Sequence, residues 1–384
     1  MRPLTLFLLL PILLLPSLAA RSTAAPPSER FVYLPGTGPT DATGRVVAGD
    51  IRAQTARVLD NLSARLARQG LTLERTAAVT VCLRNQADFA AMNEVYARYF
   101  PANPPTRTTI VAGPVEPSAL VEMSAVALPA GAERRVILPA GWMKPSSPYS
   151  YGILSGDTLF LSGLLSRNGR DNSVVPGDMK AQTGQVLQNA ADILRAAGMT
   201  MGDVVSARVY ITDTALFPEM NSAYQGAFPS IPPARATVRA GLTVSPHLVE
   251  ITLLAARGAD RKAITTPNAD GMPGTPSPVL SSAILLGKRL FLSGMLGATD
   301  ATRGSAGAQA REAFVRLRRT MREAEFDWTD VVDGVVYVPN AGDVPAVMTA
   351  WRQVFGPVLP RPTIVCAGLV SPDALVEIAL TAVK

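Results

Sequence analysis

Histidine and cysteine are scarce in this chain of 384 residues, which contains one histidine and two cysteines. With His247 as its only histidine, the chain is not expected to hold a histidine-based metal site, and a Ser-His-Asp triad is disfavoured. Cys82 and Cys366 lie in apolar runs typical of strands, which favours small buried hydrophobic residues over a disulfide between them. The sequence also has no CxxC pair and no phosphate-cradling glycine loop.

Charge is sparse as well, since 17% of the residues are charged and 48% are apolar, as in a globular protein. The net charge of +6 is scattered rather than gathered into a basic stripe with aromatic residues, so we expect no nucleic-acid partner. Residues 1–20 combine an arginine, an apolar run and small residues, which is the layout of a signal peptide. We therefore expect export to the periplasm or outside the cell, with no membrane attachment after cleavage.

The tripeptide Leu-Val-Glu occurs three times, with its glutamates at positions 122, 250 and 377, which are 128 and 127 residues apart. Other residues keep this spacing, namely Gln54, Gln182 and Gln309, Phe100, Phe228 and Phe355, and Gly113, Gly241 and Gly368. A period of this length indicates whole domains copied in tandem. We expect copy one at residues 27–128, copy two at 145–257 and copy three at 275–384.

Copy two shows the order of elements most clearly, with alternating apolar strands and two segments of helical spacing. The pattern predicts a helix over 179–197 that ends at Gly198, and a second helix over 216–228. Each copy is predicted to be β-β-α-β-α-β-β, with the first strand missing from copy one. The predicted fold class is α+β, with two helices on one face of each sheet. The other face must also be buried, so we expect the three sheets to close around a shared centre.

A carboxylate and a guanidinium recur within the copies. The glutamate of Leu-Val-Glu lies in an apolar strand, so it must be paired or have a perturbed pKa. Arg107 and Arg235 precede Glu122 and Glu250 by 15 residues. An arginine can hold a substrate carboxylate with two hydrogen bonds, and a nearby glutamate can move protons. A structural ion pair between strands explains the same spacing, and spacing alone does not decide between them.

The order and spacing of several short stretches resemble those of the RidA (YjgF) family of reactive-intermediate deaminases. In copy two these stretches are Pro148-Tyr149, Ser162-Gly163, Asn221-Ser222-Ala223-Tyr224, Pro233-Ala234-Arg235 and Val249-Glu250-Ile251. The resemblance implies chorismate-mutase-like domains that assemble as trimers with clefts between subunits. Three tandem copies would then form a pseudo-trimer from one chain, which we expect to be a monomer.

The resemblance also implies an activity, the hydrolysis of imines and enamines such as 2-aminoacrylate to 2-keto acids and ammonia, without metal or cofactor. The substrate is then a small carboxylate-bearing imine. The residues implied for carboxylate binding and acid–base work are Arg235, Glu250, Arg107 and Glu122. The residues implied for lining the substrate site are Tyr149, Ser162, Gly163 and Asn221.

Departures from the family pattern limit how many sites can work. Copy one has Pro35 in place of the serine, and copy three has Pro362 at the arginine position and Leu280 at the tyrosine position. We expect one or two competent clefts. The alternative function is a non-catalytic binding protein for keto acids or other small carboxylates. Endoribonuclease activity, which has been attached to the family name, receives little support from the scattered basic charge.

Overall fold

The computed structural model describes residues 31–228, 230–357 and 360–384. The predicted signal peptide lies outside the described residues, and so does the part of copy one in which its first strand was predicted to be missing. Within the described ranges, none of the helices combines the length and apolar character needed to cross a membrane.

Copy one contributes four strands to its sheet, with two helices on one face. Its elements are β1 (Val32–Thr37), α1 (Ile51–Ala67), β2 (Thr76–Leu83), α2 (Phe89–Tyr99), β3 (Thr106–Val111) and β4 (Val121–Ala127). The strand order is β1-β4-β2-β3, with β2 and β3 parallel. Asp50 caps the N-terminus of helix α1, and its side chain accepts a hydrogen bond from the backbone N–H of Ala53.

Copy two has the predicted β-β-α-β-α-β-β order, with two short strands added. Its elements are β5 (Arg135–Ile137), β6 (Gly152–Ser155), β7 (Thr158–Leu161), α3 (Met179–Ala196), β8 (Val204–Ile211), α4 (Phe217–Ala227), β9 (Ala234–Arg239), β10 (Gly241–Leu242) and β11 (Val249–Ala256). Gly198 follows α3 with a φ of 73°, the left-handed conformation that commonly ends a helix. The added strand β5 lies in the linker before copy two and pairs with β6.

Copy three repeats this arrangement. Its elements are β12 (Lys262–Ile264), β13 (Ala283–Leu286), β14 (Arg289–Leu292), β15 (Met295–Leu296), α5 (Ala306–Glu323), β16 (Val331–Val338), α6 (Val344–Phe355), β17 (Thr363–Cys366), β18 (Gly368–Leu369) and β19 (Glu377–Val383). Here too a linker strand, β12, pairs with the first strand of the copy.

Each copy has its own core between helices and sheet. In copy two, Val186, Ile193 and Leu194 of α3 are fully buried in one cluster with Ile251 and Leu253 of β11. These α3 positions recur at helical spacing, whereas Ile251 and Leu253 alternate along a strand. Hydrophobic periodicity therefore determines which face of each element is buried.

The opposite faces of the three sheets meet at a common centre, as predicted. One buried cluster combines Ile110 of copy one with Tyr210 and Val238 of copy two and Tyr337 and Val365 of copy three. Two short strands also cross between copies, since β10 pairs with β3 and β18 pairs with β9. The chain is therefore a single-chain pseudo-trimer.

Candidate active site

Three clefts lie where neighbouring copies meet, and the most complete is the one between copies one and two, called here the first cleft. Arg107 enters it from β3 of copy one, and Glu250 enters it from β11 of copy two. Tyr149 and Gly163 of copy two line the same cleft. The site is therefore built from both copies, and Arg107 faces the glutamate of the next copy.

Backbone hydrogen bonds between the copies fix the position of Arg107. Its N–H donates to the hydroxyl of Ser162 at 2.9 Å, and its carbonyl accepts from the N–H of Gly163 at 3.0 Å. The Ser162 hydroxyl in turn donates to the carbonyl of Ser150 at 2.7 Å. Ser162 and the Gly163 amide therefore hold the two copies together. Gly163, implied by the family resemblance to line the substrate site, therefore has its N–H already engaged by Arg107.

Gly163 is required by the close approach of Glu250. A Cβ at Gly163 would lie 1.8 Å from Oε1 of the Glu250 carboxyl, so any other residue there would force the Glu250 side chain to move. The same relation holds between Gly294 and Glu377, at 1.7 Å, and between Gly36 and Glu122, at 2.2 Å. The recurring glycine leaves room for the glutamate side chain.

Glu250 is only 3% exposed, and its Oε1 accepts one backbone hydrogen bond, from Thr109 at 3.3 Å. Burial raises the pKa of Glu250 to about 8, because desolvation outweighs the lowering by that hydrogen bond and by Arg107. At neutral pH the group is therefore mainly a neutral carboxylic acid that can give up a proton.

Aromatic rings surround the guanidinium of Arg107. It lies 4.9 Å from the ring centre of Tyr96, 5.7 Å from that of Phe89 and 5.9 Å from that of Tyr149. These cation–π contacts hold the positive charge without neutralising it. Nη1 of Arg107 is buried and has no hydrogen-bond partner in the described part of the chain. A buried donor of this kind favours binding of an anion.

Arg107 and Glu250 are not joined by an ion pair, because none of the ion pairs among the described residues includes either side chain. Between them lies a cavity of about 70 Å³, which also contacts Arg167 and Thr109. Glu122 and Arg235 are also absent from those ion pairs, so the 15-residue spacing of Arg107 and Glu122 and of Arg235 and Glu250 does not correspond to a structural Arg–Glu ion pair among the described residues. The space suits a small molecule that contacts both groups.

The second cleft, between copies two and three, contains Arg235 and Glu377. Arg235 is held as Arg107 is, by a 2.7 Å hydrogen bond to the Ser293 hydroxyl and a 3.1 Å bond from the Gly294 amide. Its Nη2 donates to Oδ1 of Asn221 at 2.7 Å, so part of the guanidinium is already engaged.

Glu377 is 4% exposed, and burial raises its pKa to about 8. The sequence places Leu280 at the position that corresponds to Tyr149. The second cleft therefore has the acid and the arginine but not the tyrosine.

The third cleft, between copies three and one, has Glu122 without its arginine. Pro362 occupies the arginine position and is buried, while Arg361 beside it is exposed. Burial raises the pKa of Glu122 to about 7, with Arg65 of the same copy lowering it. Arg65 is itself bound to the Thr37 hydroxyl at 2.9 Å. This cleft has no guanidinium in the place where Arg107 and Arg235 lie.

The structure divides the predicted site residues between clefts in a way that the sequence did not show. Tyr149 and Glu250 lie together, but Arg235 and Asn221, which were grouped with them, belong to the second cleft. Arg235 and Glu250, which the 15-residue spacing paired within copy two, therefore do not share a cleft. The reason is that β3 and β9, the strands that carry the arginines, pack against the following copy. They do not pack against β4 and β11, the strands that carry the glutamates of the same copies.

Several residues around Arg107 were not predicted. Phe89, Tyr96 and Arg167 surround or line the first cleft. Tyr96 stands three residues after Asn93, as Tyr224 stands three after Asn221, so a repeated Asn-x-x-Tyr pattern marks the aromatic position. Arg167 lies in an irregular loop and has no such signal.

The structure is a fold of three fused α+β domains with arginine–glutamate clefts between them, and sequence comparison identifies its family. The model of the Endoribonuclease L-PSP family matches three times, over residues 16–129, 142–257 and 275–384. The chain therefore belongs to this family, and the resemblance to RidA is confirmed.

Two curated relatives are matched over nearly their whole length by about a third of this chain. A RutC family protein of Sulfurisphaera tokodaii is 41% identical over 115 residues, which are 30% of this chain and 92% of the relative. A RutC family protein of Pyrococcus horikoshii is 37% identical over 122 residues, which are 32% of this chain and 97% of the relative. Each relative therefore corresponds in length to one copy.

One solved structure shares the fold, and a second is similar in sequence. A chorismatase chain has a TM-score of 0.54 at 16% identity and covers 80% of this chain and 93% of its own length, which shows a shared fold alone. The YjgF gene product of E. coli is 30% identical, with a TM-score of 0.30, and covers 32% of this chain and 98% of its own.

Proposed function

We propose that the first cleft hydrolyses small imines and enamines bearing a carboxylate, with a 2-keto acid and ammonia as products. The observation that carries this proposal is the pairing of a buried, unneutralised arginine with a buried, neutral glutamic acid across one small cavity that Tyr149 also lines, since the second cleft has Leu280 in place of this tyrosine. Membership of the family supports deaminase chemistry in general, and the geometry of the first cleft supports this particular site.

Arg107 binds the substrate carboxylate in this proposal. The buried Nη1 of Arg107 has no partner among the described residues, so a carboxylate supplies the hydrogen bond that it lacks. Desolvation lowers the pKa of Arg107 from its usual value, but an arginine remains protonated at neutral pH. Tyr149 lines the same cavity and limits its size.

Glu250 moves the proton. As a neutral acid it protonates the imine nitrogen, and water then adds to C2, so that a C–O bond forms and one proton is released. The Glu250 carboxylate takes up that proton and passes it to the amine nitrogen of the carbinolamine. The C–N bond then breaks, ammonia leaves, and the C2 carbonyl forms as the hydroxyl proton returns to Glu250. One water is consumed and one ammonia is released. An enamine first gains a proton at C3 and loses one from nitrogen to become the imine.

The test uses the purified chain from residue 31 and imines formed in place by an amino-acid oxidase, with the rate of imine loss as readout. We expect acceleration by the wild type, a fall of at least a hundredfold in Glu250→Gln, and little change in the matched variant Glu377→Gln. Saturable keto-acid binding without any acceleration would contradict deamination and identify a binding protein. Cleavage of RNA by the wild type, lost in Glu250→Gln, would also contradict it.

Export of the chain belongs to the same proposal but rests only on the composition of residues 1–20. An exported deaminase would act on imines present outside the cytoplasm. Fractionation of cells that express the full chain tests this, since recovery in the cytoplasm with residues 1–20 intact would contradict export.

A further inference from the structure

A second cavity lies on the axis around which the three copies are arranged, away from the three clefts. It has a volume of about 100 Å³, is partly open to solvent, and is lined by strands of all three copies. Many lining residues occupy equivalent positions, such as Val126, Leu254 and Thr381. The cavity is therefore the centre of the pseudo-trimer.

One lining position carries a charge in a single copy. Arg208 of copy two points to the cavity where copy one has Thr80 and copy three has Val335. A trimer of identical subunits would place three arginines around this axis, where they would repel one another. Only a chain with three different copies can place one guanidinium here.

Copy three contributes the opposite charge. Asp333 lines the cavity where copy one has Ala78 and copy two has Ser206. Tyr33 of copy one adds a phenol where both other copies carry phenylalanine. One cation, one anion and one phenol thus come from three different copies, and together they form a site without threefold symmetry.

Arg208 and Asp333 form only a long ion pair. Nη2 of Arg208 lies 3.7 Å from Oδ2 of Asp333, beyond the 2.7–2.9 Å of a charge-assisted hydrogen bond. The guanidinium makes no other ion pair or side-chain hydrogen bond among the described residues. The Arg208 side chain is 32% exposed and that of Asp333 15%, so both retain surface towards the cavity.

Hydroxyl groups complete a polar lining. Those of Thr80, Ser124, Ser206 and Thr381 make no side-chain hydrogen bond within the part of the chain that the structure describes. Thr108 and Thr252, by contrast, bond to each other at 2.5 Å. The free hydroxyls can donate to or accept from a polar molecule in the cavity.

We propose that this central cavity binds a small α-amino acid, with its carboxylate on Arg208 and its ammonium group on Asp333. An amino acid carries both charges a few bond lengths apart, as the cavity presents them, and so satisfies both groups better than they satisfy each other. The volume of about 100 Å³ suits a small amino acid such as glycine, alanine or serine. This site is independent of the function proposed for the first cleft.

The test is calorimetric titration of the chain from residue 31 with glycine, L-alanine and L-serine, and with acetate, ethylamine and L-phenylalanine as controls. The variants are Arg208→Thr and Asp333→Ser, which introduce the residues that copies one and two carry at these positions. Because the fold already accommodates these residues at equivalent positions, we expect both variants to fold. Either variant alone is enough to test the proposal. Arg107→Ala serves as the variant that alters the first cleft.

We expect saturable binding of the three small amino acids, weakened at least tenfold in Arg208→Thr and in Asp333→Ser and unchanged in Arg107→Ala. Binding lost in Arg107→Ala but retained in Arg208→Thr would place the amino acid in the first cleft and overturn the proposal. Equal binding of acetate would overturn the role of Asp333. Absence of binding would overturn the proposal, and destabilisation by Arg208→Thr would then show that the pair only stabilises the fold.

Discussion

Replacing Glu250 by glutamine should change how stability depends on pH, because Glu250 is a buried acid held neutral. Its pKa is about 8 in the folded chain against an ordinary value of 4.5. Between these values the folded state binds one more proton than the unfolded state, so this group lowers stability as pH rises. The stability that the neutral Glu250 side chain contributes is fully present below pH 4.5 and is lost as pH rises towards 8. Glutamine imitates the neutral acid in shape and does not titrate.

One proton corresponds to about 1.4 kcal/mol of unfolding free energy per pH unit. Between pH 5.5 and 7.5 the wild type should therefore lose about 3 kcal/mol more than Glu250→Gln does. Urea unfolding at both pH values measures this, with Glu133→Gln at an exposed carboxylate as the control. The same loss of stability with pH in Glu250→Gln and in the wild type would refute a neutral, buried Glu250.

Two further predictions concern the clefts and the assembly. Gly163→Ala, which would place a Cβ 1.8 Å from Glu250, should abolish imine hydrolysis, whereas Gly294→Ala, at 1.7 Å from Glu377, should preserve most of it. Initial rates of both variants, after their folding is confirmed by circular dichroism, check this, and equal loss in both would argue against the first cleft. Light scattering should give the mass of one chain, because copies one, two and three already cover one another's sheet faces; a trimer of chains would contradict this.

The fold could be predicted because its signals repeat along the chain. The three Leu-Val-Glu tripeptides established the period, and hydrophobic spacing in copy two located α3 and its end at Gly198. Short strands were missed, since β5, β10, β12 and β18 have two or three residues and exist only because a neighbouring strand offers hydrogen-bond partners. Tertiary contacts of this kind leave no periodic pattern.

The residue types of the candidate site could be predicted, but not their grouping. Arg107 and Arg235 were found from their constant distance to a glutamate of the same copy. The structure shows that each arginine meets the glutamate of the next copy, because Ser162 and Ser293 bond to the arginine backbone across the copy boundary. Each serine lies more than fifty residues from the arginine that it contacts. Such a contact follows from the packing of two copies and cannot be predicted from the spacing of residues within one copy.

The most direct test of a single working cleft compares Arg107→Ala with Arg235→Ala in the rate of imine loss. The two arginines are similarly buried and their backbones are held by equivalent hydrogen bonds, while Arg235 has an additional side-chain bond to Asn221, so the structural cost of Arg235→Ala is at least as large as that of Arg107→Ala. Hydrolysis in the first cleft predicts that Arg107→Ala lowers kcat/KM at least a hundredfold and that Arg235→Ala lowers it less than threefold. Equal losses, or a larger loss in Arg235→Ala, would contradict the assignment of the activity to the cleft between copies one and two.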